Sequence, residues 1–447
     1  MRLTTGSTRG YFIAAALLAM AVALAGPAAA QTPEDLVPTL LATGDVPFRL
    51  TQTTPGAEEK KEEEKPKTFW EENKLFAYIE NSFTANLSGS GRGGTNELRF
   101  YDNHEGYTFN AAEFSIKKDP SERYPFGYGL VITAGIDSQK NHSLGIFRDV
   151  DDQFAFRNTE KFDLLEAYGS GLVPLGSGLT VKAGKFVTLL GYEVIESPNN
   201  LNFSRGYLFS LAVPLTTTGA LASYTFTDWF SATAGFVLGW DDSENVNDPF
   251  SYTGQFAFTP LKDFTANLNW IVGPEQTDPR RFGDVPRDQR FYVNDHIRYV
   301  LDFVFAYTGF KNWTLALNVD YGHEDSDAFL RSLNTRQNTN ATWWGWALSG
   351  AYDWTDKIRT AVRQEYFRDA NGARTGIGAA TDLWSTTATF QYKIWKGLVG
   401  RLEYRHDQSD DKVYRIRYSR PDITSQGLLP RGKNMDTISV SLYYSFF

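Results

Sequence analysis

The chain of 447 residues combines 15% aromatic side chains and 38 glycines with no cysteine and a formal net charge of -9. The missing cysteines exclude disulfides, thiolate metal centres and thiol nucleophiles, and the acidic balance offers nothing to nucleic acid. A mean hydropathy of -0.37 beside so many rings fits a wall in which every second residue is apolar and the rest face water; a secreted all-β protein meets the same numbers.

Arg2 and Arg9 precede the apolar run YFIAAALLAMAVALAG, and Ala28 and Ala30 supply the small residues before a cut. This pattern predicts a signal peptide over residues 1–30, a retained membrane helix being the other reading of the stretch. Residues 31–74 carry EEKKEEEKPK from Glu58 to Lys67 and little to bury, which predicts a polar periplasmic arm. That arm is too short for the folded plug of an energised transporter.

From residue 75 to 447 the pattern changes to period two. In FTANLNWIV, Phe264, Ala266, Leu268, Trp270 and Val272 oppose Thr265, Asn267 and Asn269; Trp313, Leu315, Leu317, Val319 and Tyr321 oppose Thr314, Asn318 and Asp320. Short connections near Asp228, Pro260–Lys262, Gly309–Lys311, Thr355–Asp356 and Trp395–Lys396 alternate with long polar ones such as Gly273–His296 and Glu324–Ala341. The expected fold is an all-β, transmembrane antiparallel β-barrel of 16 strands, from 75–87 to 434–446, with both termini periplasmic. Counting Gly206–Val213 and Tyr414–Ser419 as spanning segments gives 18. Closure is required because an open edge leaves backbone groups unpaired in hydrocarbon. Trp229, Trp240, Trp313, Trp354, Tyr307 and Tyr321 fall near strand ends, where aromatic girdles form.

Between the fifth and sixth strands, Thr188–Leu215 carries the apolar pieces LLGYEVI and YLFSLAV. A solvated loop has no use for them, so the expectation is a third outer loop folded into the lumen. Its charged residues are Glu193, Glu196 and Arg205, and inward parity opposes to them Arg359, Arg363, Arg401 and Arg405, interrupted by Glu365 and Glu403. These seven are the pore-constriction candidates, through a transverse field across a water path; mutual pairing that stiffens the wall is the alternative. Asn199, Asn200, Asn202 and Ser204 suit either sugar contacts or turn caps.

The five histidines, His104, His142, His296, His323 and His406, show no metal-protease spacing, so no catalytic or metal site is assigned and no cofactor is expected. DVDD at Asp149–Asp152 and DQSDD at Asp407–Asp411 read as solvated loop charge, loop-bound Ca²⁺ being the other reading. The last strand places Ile438, Val440, Leu442, Tyr444 and Phe446 on one face. Its aromatic end resembles the signal read by the barrel assembly machinery of bacterial outer membranes, with Phe447 one residue beyond the outward register.

Gly184–Tyr224, and more weakly Asn96–Lys118, resemble the OmpL-like (beta-barrel porin-2) family, a likeness that spans Phe69–Phe447. The resemblance implies a non-enzymatic diffusion channel for small polar solutes or ions in the outer membrane, among lipid and lipopolysaccharide. It also implies a homotrimer. The rival from another class is a non-conducting surface barrel, an adhesin or envelope anchor, its lumen occluded by the same third loop.

Overall fold

The computed structural model describes residues 72–446, apart from 89–97, 100, 102–104, 148–159, 246–248, 277–295, 326–339 and 416–430. The expected signal peptide over 1–30, nearly all of the expected arm over 31–74, DVDD and Phe447 lie outside the described residues.

Sixteen strands form one closed antiparallel barrel. In chain order they are β1 (Lys74–Asn86), β2 (Gly106–Lys118), β3 (Phe126–Ala134), β4 (Phe162–Val173), β5 (Leu179–Val187), β6 (Thr216–Thr227), β7 (Phe230–Val237) and β8 (Ser251–Leu261). There follow β9 (Phe264–Pro274), β10 (Ile297–Tyr307), β11 (Trp313–Glu324), β12 (Ala341–Asp353), β13 (Ile358–Asp369), β14 (Thr381–Trp395), β15 (Leu398–Ser409) and, after a short ribbon, β18 (Asn434–Phe446). The ribbon pairs β16 (Tyr414–Arg415) with β17 (Arg431–Gly432) outside the wall. The other segment of the eighteen-strand alternative holds a one-turn helix, Leu208–Ala212. Sixteen is therefore the strand number.

Burial is inverted relative to a soluble sheet protein. On β18, Val440 is 51% exposed and Leu442 45%, whereas Thr437, Ser439 and Ser441 are buried. Buried polar side chains beside exposed large apolar ones are the informative pattern, and along alternating strands they mean a polar interior inside an apolar outer wall. Ten residue pairs, Ala77↔Phe446 to Asn86↔Thr437, zip the last strand to the first. Thr84 Oγ1 and Ser439 Oγ meet at 2.8 Å across that seam.

Turns at one end are tight. Lys396–Gly397 alone separates β14 from β15, and Gly397 has φ +77, the left-handed region that a side chain resists. Trp229, Trp313 and Trp354 lie exposed at strand ends. Trp240 does not join them. β7 ends at Val237, and Trp240 stands 6.4 Å from the fully buried Trp343 with the Arg298 and Arg374 guanidiniums 5.0 and 4.5 Å from its ring. Cation–π contact and burial draw this ring inward, which corrects its expected girdle position.

Candidate functional site

Period two puts Arg359, Arg363 and Glu365 of β13 on the buried side of the wall, and Arg401, Glu403, Arg405 and Asp407 of β15 likewise. The intervening β14 supplies only neutral partners in register: Arg363↔Thr387↔Arg405 and Arg359↔Gln391↔Arg401. Two strand spacings, roughly 9–10 Å, thus separate arginines of the same row.

Every one of these arginines meets a carboxylate. Arg359 forks onto Asp353 at 2.7 and 2.6 Å. Arg363 pairs with Glu193 and lies 3.6 Å from Glu365. Arg401 binds Glu80 at 2.8 Å, and Arg405 binds Asp407 at 2.8 Å and Glu365 at 3.3 Å. Asp407, read from sequence as solvated loop charge, is instead a buried partner on β15. Of the acids in residues 188–215, Glu193 does reach an arginine of the wall. Glu196 opens the turn Ser197–Asn199 and lines a cavity of about 30 Å³, room for a water molecule, together with Thr188, Phe209 and Pro214. Arg205 turns away from the wall arginines; its guanidinium stacks 4.5 Å from the Tyr101 ring and donates to the Ile195 carbonyl.

The wall charges also serve the backbone of residues 188–215. An irregular buried segment has no ladder to satisfy its N–H and C=O groups, so side chains must do so. Glu403 accepts the N–H groups of Phe203 and Ser204 at 2.7 and 3.0 Å, and Glu365 accepts that of Tyr207 at 2.6 Å. Asp302 takes Gly191 N–H at 2.9 Å and Asn318 takes Tyr192 N–H at 3.0 Å. Conversely Arg363 donates to the Ser204 carbonyl at 2.6 Å, Arg401 to that of Ser197 at 3.0 Å, and Arg405 to that of Arg205 at 2.6 Å. Gly206 N–H donates to Glu193 at 2.6 Å. A Cβ on Gly206 would stand 2.4 Å from a Glu365 oxygen, so only glycine brings the chain this close.

Apolar residues complete the seat. Leu208, Leu211, Ala212 and Val213 pack with Trp343 and Phe367 of the wall, and Ile195, Phe209 and Leu215 with Val131 and Leu165. The Trp343 indole N–H donates to the Ala212 carbonyl at 3.1 Å. Asn200 closes a local ring with Val194, and Asn202 donates to Thr389 at 2.7 Å. These amides are occupied by the fold, which favours the turn-cap reading over sugar contacts. Burial holds the Tyr192 phenol up at about 12, with Glu193 adding to the effect.

Glu80, Asp302 and Asn318 are anchors that sequence reasoning missed. Parity placed Asn318 on the polar face, but nothing in the sequence says which distant segment any of the three meets. Three of the described histidines serve the fold: His142 bonds the Phe162 carbonyl, His323 meets Thr342 and Asp325, and His406 pairs with Asp436. Among the described residues no group of three metal-ligating side chains forms.

Residues 74–446 match the family model described as "Putative beta-barrel porin-2, OmpL-like". The chain belongs to that family. Its fold is similar to the outer-membrane channel DcaP of Acinetobacter baumannii, with TM-score 0.52, 9% identity, and 84% of this chain and 97% of that chain covered. It is also similar to an anion-selective porin from Comamonas acidovorans, with TM-score 0.51, 9% identity and coverage of 84% and 99%. Salmonella typhi OmpF, in a complex with daunomycin, aligns with TM-score 0.50, 13% identity and coverage of 84% and 97%. At these identities the likeness is one of fold. The search of curated proteins gave no match. As a member of the OmpL-like porin family with sixteen lipid-facing strands, the chain is a multi-pass protein of the outer membrane.

Proposed function

We propose that this OmpL-like barrel is a passive diffusion channel for small hydrophilic solutes or ions, narrowed by residues 188–215 folded into its lumen. The observation that carries the reading is the polar buried face of the wall bonded to that segment through Glu365, Glu403, Arg363, Arg401 and Arg405. Glu193 and Arg363 stand at the narrowing as a pair, and Glu196, Arg205, Arg359, Arg401 and Arg405 form the frame around it. With each of the four wall arginines, Arg359, Arg363, Arg401 and Arg405, matched by an acid, the frame sets the size of the passage more than its sign. The aromatic end of β18 serves the assembly machinery, and lipopolysaccharide packs the outer wall. A homotrimer is the proposed oligomer.

A planar-bilayer trace of the purified, heat-modifiable protein tests the reading. Discrete ohmic conductance steps are expected. Protein that inserts and never conducts overturns it and favours a surface anchor closed by the same segment.

A further inference from the structure

The inner side of the wall changes chemistry from one pleat to the next. On β9, β10, β13 and β14, Asn269, Asp302, Glu365 and Ser385 are buried and polar. The next inward position on the same four strands, toward the long-loop end, holds Ile271, Val300, Phe367 and Leu383. Together with Trp343 of β12 these make a lateral apolar row, in which Ile271 pairs with Val300 and Phe367 with Leu383 across neighbouring strands. None of the five is more than 2% exposed, whereas the chain neighbours Val272, Leu301, Trp344 and Trp384 are 37–40% exposed on the outer side.

An apolar row turned toward water has no place in a simple diffusion channel. Here Leu208, Leu211, Ala212 and Val213, with Leu189 and Leu190, pack against it. Leu208–Ala212 is a single π turn, a form found mostly at functional sites. Its last two carbonyls carry polar ties: the Trp343 indole N–H donates to Ala212 at 3.1 Å, and Arg374, in the connection between β13 and β14, donates to Leu211 at 2.7 Å. The side-chain contact with the row is apolar and non-directional, so the turn can leave its seat without breaking a hydrogen-bonded ladder. We propose that Leu208–Val213 is a hydrophobic gate: seated in the apolar row it closes the passage to water and ions, and conduction requires it to lift. An apolar constriction shuts a pore by dewetting and needs no blocking charge. The inference rests on the diffusion-channel reading, and it moves the controlling point from the arginine frame to the row one pleat nearer the outside.

Two measurements decide it. Val300→Thr keeps the shape of the row and adds a hydroxyl, and Leu211→Asn puts an amide on the turn. In single-channel records the wild type is expected to open briefly between long closures, and each variant, once shown to be heat-modifiable, to raise the open fraction several-fold. The chain has no cysteine, so Val300→Cys and, near the tight end of β9, the half-buried Thr265→Cys each provide a single thiol. A small hydrophilic methanethiosulfonate is expected to label Thr265→Cys at once and Val300→Cys slowly, and Leu211→Asn to speed the second reaction. Folded variants with an unchanged open fraction overturn the proposal. So does a Val300→Cys thiol labelled as fast as Thr265→Cys, or one never labelled while the channel conducts. If the wild type inserts without conducting, the channel reading fails by itself, and the labelling of Val300→Cys still decides whether the turn lifts.

Discussion

The Tyr207 backbone N–H donates to a Glu365 carboxylate oxygen at 2.6 Å, across 158 positions of sequence. The other oxygen of Glu365 is held 3.3 Å from Arg405. One buried acid thus ties the segment between β5 and β6 to an ion pair of the wall, and the tie is open to test.

Glu365→Gln and Glu403→Gln each keep shape but remove the charge that receives those N–H groups. For Glu365, which is paired with Arg405, removing one partner of a buried ion pair costs about 3–5 kcal/mol; Glu403 loses the charge-assisted hydrogen bonds from Phe203 and Ser204, about 1.5–3 kcal/mol each. The expected result is a lower temperature for heat-modified gel mobility, together with larger and noisier single-channel conductance as residues 203–207 come loose. Conductance identical to wild type would show that the segment does not narrow the passage.

Gly206→Ala tests the same seat without touching a charge. The added carbon would meet Glu365 and Glu193 oxygens at 2.4 and 2.9 Å. The variant should fold into a barrel of normal gel mobility and still show altered conductance, whereas Gly171→Ala, where a Cβ has its nearest contact at 3.7 Å, should match the wild type.

Loss of the closing residues should prevent assembly. Deleting Tyr444–Phe447 removes the pairs Ile79↔Tyr444, Tyr78↔Ser445 and Ala77↔Phe446 and opens one end of the seam to lipid. Membrane fractions should contain little heat-modifiable protein, the rest appearing as aggregate or degraded chain.

Glu275, just beyond β9, supplies a pH dependence. It accepts from Ser251 Oγ and Trp240 N–H, each at 2.6 Å. Burial pushes its carboxyl up to about 7, Glu324 adding to this, while Arg298 and the two hydrogen bonds oppose it. A raised carboxyl favours the neutral form in the folded state, so its contribution is full below about 4.5, falls as pH rises to about 7, and is level above. The thermal midpoint should therefore drop between pH 5 and pH 8, and Glu275→Gln should flatten that part of the profile.

Much of the wall was legible because lipid imposes a simple rule on sequence. Ile438, Val440 and Leu442 alternate with Thr437, Ser439 and Ser441 since one face meets hydrocarbon and the other does not, and short turns such as Lys396–Gly397 mark the tight end. Strand number, parity and the inward direction of Arg359, Arg363, Arg401 and Arg405 follow from period two and loop length. The unusual apolar content of residues 188–215 was also visible, as a loop with too much to bury.

What the arginines bind was not legible. Parity tells which side a residue faces, not which distant carboxylate stands within 3 Å of it, and the partners Glu80 and Arg401 lie 321 positions apart. Trp240 read as a girdle residue because a strand-end tryptophan suits a membrane surface; Trp343, Arg298 and Arg374 offered a better-buried place. Sequence alone therefore determined a closed wall with apolar outside and polar inside, since each residue there answers to its own local solvent. Only the tertiary structure decided which charges cancel, because electrostatic matching depends on distances between strands that the order of residues does not contain.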